Sequence, residues 1–398
     1  MLRALFVTSS FAYGSAEKQA ITLMNRLAVR GHECHAAYIR ENHALLDRVR
    51  LRSESSVRCL SAERYLDKSA LADLAALIAN LQPTVIVAAG PYALLFATFS
   101  RRLARTRTAM VVTQHSTGVS GPREFLEMLL YRPFVWTADC AIFGGDRQRR
   151  YWRRRGVLAK QNVVIYNGVD TDKFTDATMP EHRAATRRLF GFSGTDFVIG
   201  AIGDLSKEKN QIQLVSAVER LRGAGVRARA LLIGDGGQRT AIEARARERG
   251  VMGDVAMTGF VHDVRPFVAA CDVLAVCNLT DALSVGALEA MALRKPVVHS
   301  NVGAAGEMIH PGYNGFLFRA NDTDALVEHL ARLTNPSERE SIGEHARDIV
   351  ERRFSEQRMI ESYESLLLKL TSSNNRLRKS YLGATGSDGP VESRGGRF

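Results

Sequence analysis

The sequence predicts an α/β fold of two doubly wound, parallel-sheet domains that face each other across a cleft. Three observations support this prediction. Short apolar strands alternate with helical segments through both halves of the chain, which is the pattern of a parallel sheet covered by helices. The 398 residues suffice for two domains of ordinary size. A polar stretch punctuated by glycine and proline, 175–195, separates the two series of strands.

The N-terminal half opens with a β-α-β unit. Residues 2–9 form an apolar strand, apolar residues then recur at helical spacing over 16–30, and Gly31 ends the helix. Residues 33–38 predict the second strand. Further apolar segments continue the sheet of this domain at 85–89, 109–113, 140–143 and 163–166.

One stretch, 74–100, contains no charged residue and is long enough to suggest a membrane-spanning helix. Polar residues, a proline and a glycine-proline pair interrupt it at Asn80, Pro83 and Gly90. Because of these interruptions, a helix end, a strand over 85–89 and a second helix fit the stretch better than one span.

The C-terminal half repeats the alternation of strands and helices, although no internal sequence repeat is visible. Apolar strands are predicted at 197–201, 230–233, 255–258, 273–276 and 296–300. Helical patterns dominate 324–370, and from about Thr371 serine, asparagine, glycine and arginine replace apolar residues. We therefore expect an N-terminal domain at 1–175, a C-terminal domain at 176–345, a C-terminal helix at 346–370 and a disordered basic tail at 371–398.

The charge of the chain is unevenly distributed. The net charge is +12, and the apolar and charged fractions of 45% and 24% are those of an ordinary globular protein. Residues 1–180 hold 25 Lys and Arg against 15 Asp and Glu, whereas residues 181–370 hold 24 against 25. A basic N-terminal half suits an anionic membrane surface, an acidic acceptor or nucleic acid. Five cysteines without a CxxC pair, and a first apolar run too short for a signal peptide, favour reduced thiols in a cytoplasmic protein.

The segment 146–156 concentrates basic residues after the strand at 140–143. Its arginines and its tryptophan are Arg147, Arg149, Arg150, Trp152, Arg153, Arg154 and Arg155. A solvated or packed helix face is one interpretation, and an anionic membrane interface or an acidic acceptor is the second. Nucleic acid is the weakest interpretation and is not expected, since no nucleic-acid-binding motif accompanies the segment.

Two carboxylates eight residues apart, Asp281 and Glu289, mark the stretch that we expect to carry function. Asp281 follows the buried strand at 273–276, and strong helix formers begin after it, so that Ser284 and Val285 open the next helix. Ligands bind at this carboxyl edge in open α/β sheets, and the free amides of a helix start suit a phosphate. Eight residues are close to two helical turns, so we expect both carboxylates on one face, where they can bind hydroxyl groups.

The motif D-x7-E-A-M-A at 281–292, followed by K-P-V-V at 295–298, resembles the E-x7-E signature of retaining glycosyltransferases of the family-4 type, which have the GT-B fold. Similar fragments stand in the expected order elsewhere, at 14–17, 30–33, 163–174, 303–309 and 314–317. The resemblance implies two Rossmann-like domains, with a C-terminal helix that crosses back onto the first. It also implies a retaining transfer of a hexose-type sugar from a nucleotide-sugar donor to an acceptor hydroxyl, without a metal or a cofactor.

The same resemblance implies roles for individual residues. His115 and Asp281 would contact the transferred sugar, and Glu289 would bind the ribose diol, so these three are the candidate catalytic residues. Gly14 would let the first loop approach the donor phosphates, and Lys209 would hold the diphosphate. The full set of implied donor-binding residues is Gly14, Ser15, Asp204, Lys209, Gly234, Val261, Ala282, Leu283, Ser284, Val285 and Glu289.

Two positions depart from the family pattern. Asp281 replaces the first glutamate of the signature, which keeps the charge and shortens the reach by one methylene. Asp204 replaces an arginine that grips the diphosphate in the family, and would repel a diphosphate if it pointed inward. A catalytically weak or inactive relative that acts as a nucleotide-binding or partner subunit is therefore the alternative function. A nucleotide-sugar epimerase or a phosphorylase on the same fold is a third.

The acceptor is predicted from charge and resemblance together. A basic N-terminal half favours a lipid-linked or saccharide acceptor in cell-envelope polysaccharide or glycolipid synthesis. We expect a cytoplasmic protein that associates peripherally with the inner face of the plasma membrane. The sequence does not distinguish a UDP-sugar from a GDP-sugar.

Overall fold

Two parallel β-sheets, each covered by helices, form the two halves of the protein. The computed structural model describes residues 1–12, 14–51, 56–116, 118–119, 121–175 and 179–384. One sheet has seven strands and the other six, and every strand pair in both is parallel. This architecture confirms the predicted fold class.

The N-terminal domain alternates strands and helices from its first residues. Its strands are β1 (Arg3–Thr8), β2 (Glu33–Tyr38), β3 (Val57–Cys59), β4 (Val85–Ala89), β5 (Ala109–Gln114), β6 (Cys140–Phe143) and β7 (Gln161–Val164). Its helices are α1 (Ser15–Val29), α2 (Lys68–Leu81), α3 (Pro91–Leu103), α4 (Pro122–Thr137) and α5 (Asp146–Arg154).

Both faces of this sheet are buried. Leu5 and Val7 of β1 join one hydrophobic cluster, and their neighbours Ala4 and Phe6 join the cluster on the opposite face. A strand that is buried on both faces needs apolar residues at every position rather than at alternate ones. That requirement explains why the strand segments read as continuous apolar runs in the sequence.

The C-terminal domain repeats the same construction. Its strands are β8 (Phe197–Ile202), β9 (Ala228–Ile233), β10 (Val255–Met257), β11 (Val273–Val276), β12 (Val297–Ser300) and β13 (Gly315–Phe318). Its helices are α6 (Met179–Leu189), α7 (Ile212–Gly223), α8 (Arg239–Glu248), α9 (Arg265–Ala270), α10 (Val285–Ala292), α11 (Ala305–Met308), α12 (Thr323–Arg332) and α13 (Pro336–Arg353).

Each sheet has a point at which its strand order reverses. The orders are β3-β2-β1-β4-β5-β6-β7 and β10-β9-β8-β11-β12-β13, so the reversals fall between β1 and β4 and between β8 and β11. Loops leaving two such strands run in opposite directions and open a crevice at the carboxyl edge. In the C-terminal domain these are the loops that carry Lys209 and Asp281.

The last helix, α14 (Glu356–Ala384), packs against the N-terminal domain. Its apolar side chains join the hydrophobic cluster that covers one face of β1 and β2; they are Met359, Ile360, Tyr363 and Leu367. Charged contacts reinforce this packing, because Arg26 of α1 pairs with Glu356 and Arg30 pairs with Glu364. The C-terminal helix therefore completes the core of the first domain.

The structure moves two of the predicted bounds. The boundary expected between 345 and 346 falls inside α13, and the helix that crosses back begins at Glu356. The backbone of α14 stays helical to Ala384, whereas we expected disorder from 371. Residues 371–382 contain neither glycine nor proline, so nothing in them stops a helix that starts on a packed face. The rest of the predicted tail, 385–398, lies outside the described residues.

The uncharged stretch at 74–100 divides as the sequence predicts. It contains the end of α2, all of β4 and most of α3. None of the helices in the described part of the chain combines the length and the apolar character that a bilayer span needs.

Candidate active site

Two loops from the reversal point of the C-terminal sheet bring opposite charges together. The Lys209 Nζ atom, from the loop after β8, lies 3.3 Å from the Oδ2 atom of Asp281, from the loop after β11. The Asn278 side-chain amide donates to the same Oδ2 atom. Only 14% of the Asp281 side chain is exposed. A carboxylate this buried needs polar partners, and this one has both a cation and an amide.

Residues at the end of β12 hold the loop that carries Asn278 and Asp281 in place. The Ser300 hydroxyl donates to the Asn278 carbonyl oxygen at 2.6 Å. The buried His299 ring places its Nδ1 atom 2.6 Å from the Ser300 carbonyl oxygen, and Nδ1 must donate because a carbonyl only accepts. Burial lowers the pKa of His299, while the charge of Asp281 acts in the opposite direction. Within the described part of the chain, its Nε2 atom is buried without a hydrogen-bond partner.

Sequence reasoning missed His299. The signal that could have found it is its position, since a histidine and a serine end the apolar strand β12 at the carboxyl edge. A polar side chain there sits beside the loop of the neighbouring strand, and β12 pairs with β11 directly. The register places His299 opposite Val276, two residues before Asn278.

Helix α10 begins where the sequence predicts. Val285 is its first residue, and the Ser284 hydroxyl caps it by accepting the Ala287 amide at 3.3 Å. The other first-turn amides have no partner within the helix and remain donors at its positive end. Gly286 allows the helix start to pack tightly on Ile202 at the end of β8, because a side chain at 286 would crowd Ile202.

A loop after β12 fixes the turn that precedes α10. The Ala304 amide donates to the Ala282 carbonyl at 2.7 Å. Gly303 has a φ of +53° and lies against the Asp281 carbonyl oxygen, so a side chain there would collide with it. Leu283 is buried in the core beside α10, which leaves only its backbone available to a ligand. The turn that carries Asp281 is therefore held from two sides.

Glu289 lies one turn beyond Val285 on the same face of α10 and is half-buried. Burial raises the pKa of its carboxyl group to about 7, against the attraction of Lys18 and Lys173. These two lysines belong to α1 and to the segment after β7, so Glu289 is directed towards the N-terminal half of the protein. Among the described residues, its carboxylate forms neither a hydrogen bond nor an ion pair.

Asp204 is exposed to solvent, and the backbone around it is tightly packed. The Gln211 side-chain amide donates to its carbonyl oxygen at 2.8 Å. Gly234 has a φ of +145° and contacts the backbone of Gly203, so glycine is required there for steric and conformational reasons.

Val261 follows a turn that is anchored to the same region. Gly234 and Gly259 form an isolated antiparallel bridge, and the Gly234 amide donates to the Thr258 hydroxyl at 3.1 Å. The half-buried Val261 therefore lies near the carboxyl ends of β9 and β10, beside the Gly234 turn.

Within the described ranges, no group of His, Cys, Asp and Glu is arranged to hold a metal ion.

His115 stands on the opposite side, just after β5 of the N-terminal sheet. Its Nε2 atom lies 2.9 Å from the Thr113 hydroxyl. Burial lowers the pKa of His115 to about 4, so the ring is neutral at physiological pH. A neutral imidazole can donate from one nitrogen and accept at the other, which suits contact with an uncharged sugar hydroxyl.

Gly14 does not leave the open approach that we expected of it. Its φ of −141° is extended backbone that any residue adopts, and the Glu17 carboxylate lies over it. The Ser9 hydroxyl donates to that carboxylate at 3.3 Å. Ser15 is the first residue of α1. The start of α1 thus carries an anion of its own, and a second anion would have to displace Glu17.

Glu307 joins the two domains and was also missed as a functional candidate. Its carboxylate accepts the Asp146 amide at 2.7 Å, the Arg147 amide at 2.8 Å and the Tyr166 hydroxyl at 2.8 Å. The start of α5 in one domain is therefore capped by a side chain from α11 of the other. The sequence had placed 303–309 in a family fragment without giving Glu307 a role.

The basic segment 146–156 is only partly a free surface. The Trp152 ring is buried, and its Nε1 atom donates to the Ser116 carbonyl at 3.0 Å. The Arg147 guanidinium donates to the carbonyl and side-chain oxygens of Asn301 in the other domain. Trp152 is therefore removed from the predicted membrane-facing set, because the ring fills the core of its domain. Arg150, Arg153, Arg154 and Arg155 remain exposed.

The arrangement of the two sheets is shared with solved glycosyltransferase structures. The chain is similar to HepE of Anabaena, solved in complex with UDP, with a TM-score of 0.81 and 21% identity over 92% of this chain and 100% of that one. At this identity the likeness concerns the fold. The two parallel-sheet domains give the chain the GT-B fold.

Two family models match the sequence, one for each half. The model described as "Glycosyltransferase Family 4" matches residues 16–173, and "Glycosyl transferases group 1" matches residues 183–349. The chain therefore belongs to the glycosyltransferases of the family-4 type.

Named relatives match part of the chain. A putative glycosyltransferase of Bacillus subtilis, EpsD, is 26% identical over 66% of this chain and 70% of its own length. A GDP-mannose-dependent mannosyltransferase of Corynebacterium glutamicum, named for a monoacylated phosphatidylinositol monomannoside, is 31% identical. That match spans 50% of this chain and 54% of the relative.

Proposed function

We propose that the protein is a retaining, metal-independent glycosyltransferase. It moves a hexose-type sugar from a nucleoside diphosphate sugar to the hydroxyl group of a lipid-linked or saccharide acceptor. The observation that carries the proposal is the contact of Lys209 with Asp281 at the reversal point of the C-terminal sheet, beside the start of α10. A cation, a helix start and a carboxylate within one crevice match the diphosphate and the sugar of such a donor.

The diphosphate is expected at the amides that open α10, with Lys209 as its cation. Lys209 is 27% exposed at its side chain, so its ammonium group can exchange the Asp281 carboxylate for a phosphate oxygen. Asp281 then accepts hydroxyl groups of the sugar. The leaving diphosphate gains negative charge as its bond to the sugar breaks, and fixed donors at that point lower the barrier.

Glu289 and His115 complete the proposed contacts. The Glu289 carboxylate can accept hydrogen bonds from both hydroxyl groups of a ribose, and neutral His115 can contact the sugar from the N-terminal side. In a retaining transfer, the bond from sugar C1 to the diphosphate oxygen breaks and the bond to the acceptor oxygen forms on the same face. The acceptor hydroxyl loses its proton, which the diphosphate oxygen can take, so the balance needs no further reactant.

The acceptor is proposed to belong to cell-envelope polysaccharide or glycolipid synthesis. The basic N-terminal half supports a membrane-bound acceptor and a peripheral position at the inner face of the plasma membrane. The Corynebacterium relative is named for a phosphatidylinositol glycolipid, and this name supports a lipid-linked acceptor for this chain too. The same relative is named for GDP-mannose, whereas HepE was solved with UDP. The donors to be tested therefore include both GDP-sugars and UDP-sugars.

A panel of UDP- and GDP-sugars tests the proposal. The purified full-length protein is incubated with each donor, with and without EDTA, and the released nucleoside diphosphate is measured. We expect slow hydrolysis of at least one donor, unchanged by EDTA, and its loss in Glu289→Ala. The matched control is Glu340→Ala on the exposed side of α13, which should keep the activity. Product anomers resolved by NMR then test retention.

The alternative is a relative that binds a nucleotide or a partner without turnover. The exposed Asp204, where the family has an arginine, favours it, since one phosphate-binding cation is missing. Binding of a nucleoside diphosphate by calorimetry without turnover of any donor would support this alternative. If the protein neither binds nor turns over any donor, the enzyme is contradicted and an inert relative that acts as a partner subunit is favoured.

A further inference from the structure

Helix α4 carries apolar side chains on two opposite sides, although only one of these sides is packed. Met128, Tyr131 and Val135 are buried against the domain. The opposite side consists of five exposed apolar side chains, between 36% and 68% accessible, which are Phe125, Leu126, Leu129, Leu130 and Trp136. An apolar face of a helix is usually buried against a partner. The outer side of α4 therefore lacks a partner within this chain's described residues.

These five residues form one continuous surface. At 100° per residue they fall within an arc of about 140° on the helix, and the exposed Pro133 lies inside the same arc. The acidic residues of α4, Glu124 and Glu127, lie outside it. Single exposed leucines are ordinary on protein surfaces, whereas a contiguous apolar stripe marks an interaction site. We call the five residues the α4 stripe.

Basic side chains border the α4 stripe at both ends. The Trp136 Nε1 atom donates to the Gly156 carbonyl at 2.7 Å, which places the exposed end of α5 with Arg153, Arg154 and Arg155 beside it. The Arg132 guanidinium stacks on the Trp136 ring, 5.1 Å from its centroid. At the other end of α4, the Arg123 side chain is 93% exposed, beside its ion-pair partner Glu127. We call these five arginines the basic rim.

We propose that the α4 stripe and its basic rim dock the protein onto an anionic lipid bilayer. Leucine and phenylalanine enter the boundary between headgroups and acyl chains, while tryptophan and arginine reside at headgroup level. A second copy of this chain fits this surface less well. In a twofold contact each stripe meets itself, and the two basic rims approach each other with like charge.

The position of α4 links docking to the proposed transfer, and this part of the inference rests on the proposed function. The helix begins at Pro122, seven residues after His115, and the Val119 amide between them donates to the Tyr151 hydroxyl of α5 at 3.0 Å. The loop from the sugar-facing edge of the N-terminal sheet therefore leads directly to the docking helix. A lipid-linked acceptor in the bilayer would meet the cleft on the His115 side.

Co-sedimentation of the full-length protein with lipid vesicles tests the docking surface. Vesicles of phosphatidylcholine alone are compared with vesicles of phosphatidylcholine and phosphatidylglycerol in equal parts, at low and high salt. We expect binding to the anionic vesicles that weakens with salt. Leu126→Glu with Leu130→Glu should lower this binding by about tenfold or more, because each change removes an inserted leucine and adds a repelled charge.

Matched variants separate the stripe from general effects. Leu189→Glu changes a leucine of α6 that is more exposed than any in the stripe, on the other domain, and should bind vesicles like the wild type. Arg153→Gln with Arg154→Gln should weaken binding at low salt and reduce its salt dependence. Far-ultraviolet circular dichroism and donor hydrolysis in solution should be unchanged in all these variants, since none touches the donor site.

Three outcomes overturn the proposal. The wild type stays in the supernatant with anionic vesicles at low salt; the double glutamate variant binds as well as the wild type; or light scattering shows a dimer that the double glutamate variant makes monomeric, without vesicle binding. Vesicle binding without turnover of any donor would instead remove the proposed function and leave the docking surface standing.

Discussion

The carboxyl edges of the two sheets are built from different chemistry. At the C-terminal edge, Lys209 and Asn278 both bond to Asp281, and Ser300 anchors Asn278 from the neighbouring strand. At the N-terminal edge, His115 is neutral and bonds to the hydroxyl of Thr113. The difference matches the two parts of the proposed donor, since its nucleotide carries a diphosphate and its transferred sugar presents hydroxyl groups.

A charged edge and a neutral edge also differ in what they require of the fold. Buried charges must keep their partners, and the loops after β8, β11 and β12 supply these within one domain. A neutral histidine forms one hydrogen bond within the protein, and its other ring nitrogen stays available to a substrate. We therefore expect variants at the C-terminal edge to change donor binding, and variants at the N-terminal edge to change transfer alone.

The largest expected effect is that of Lys209→Met. Removing the cation that faces a developing diphosphate charge should lower donor turnover by about 10²–10³-fold, and affinity for the nucleoside diphosphate should fall with it. The control is Lys207→Met, an exposed lysine in the same loop that should keep its activity. Release of nucleoside diphosphate measures the turnover. If the two variants turn over the donor equally, the charge of Lys209 has no special role in the reaction.

Glu289→Gln should make the protein more stable at alkaline pH. The pKa of the folded-state carboxyl, raised to about 7 by burial, exceeds that of an unfolded glutamate, about 4.3. Protonated Glu289 therefore adds stability at acid pH that is lost as the pH rises through about 7. Glutamine cannot ionise, so the variant avoids this loss, which amounts to up to about 3 kcal/mol above pH 7.

Urea denaturation at pH 5 and pH 8 measures the effect of Glu289→Gln. The gain in free energy of unfolding should be largest at pH 8 and fall to about 1 kcal/mol at pH 5, because the unfolded carboxyl already ionises near pH 4.3. Glu340→Gln, on the exposed side of α13, should give no comparable difference between the two pH values. If the Glu289→Gln variant is no more stable than the wild type at pH 8, then neighbouring groups offset the cost of burying the ionised Glu289 carboxylate.

His115→Phe should separate the two edges most cleanly. The phenyl ring keeps the volume and loses one sugar contact, so transfer should fall by about tenfold, as expected for one hydrogen bond. Affinity for the nucleoside diphosphate, measured by calorimetry, should be unchanged, and His310→Phe on the exposed surface of the C-terminal domain is the control. An equal loss of nucleotide affinity would mean that His115 acts on the nucleotide part of the donor and not on its sugar alone.

Much of the C-terminal edge could be predicted from the sequence. Asp281, Ser284 and Val285 lie where periodicity and propensity placed them, at the end of a buried strand and the start of a helix. Such features are local, because a strand end and a helix start are set by adjacent residues. The contact of Lys209 with Asp281 spans 72 positions, and only the order of the strands brings these residues together.

The features that sequence reasoning missed depend on which side of an element is covered. The membrane interpretation of 146–156 included Trp152 because it lies among arginines, but its ring packs inwards while Arg150, Arg153, Arg154 and Arg155 remain exposed. The α4 stripe was not predicted, because apolar residues in a helical segment indicate burial and the sequence does not show which face stays uncovered. Periodicity shows that a helix has a face, whereas the partner of that face is a property of the tertiary structure.

The smallest expected effect is that of Glu307→Gln, and it tests whether the two edges act independently. Glu307 caps the start of α5 in the N-terminal domain. It lies three residues after Ala304, in the segment where Gly303 and Ala304 contact the Asp281 turn. Glutamine keeps the shape but replaces one accepting oxygen by a donor. The cost should be about 1 kcal/mol, the typical value of one hydrogen bond.

Hydrogen exchange of the Asp146 and Arg147 amides measures this cost directly. Their exchange should accelerate about fivefold in Glu307→Gln, the factor that corresponds to about 1 kcal/mol, and stay unchanged in Glu340→Gln. If donor affinity is unchanged as well, the contact only joins the domains. If donor affinity changes by a similar factor, the loop at 303–304 transmits the state of α5 to Asp281, and the neutral edge then influences the charged one through this contact.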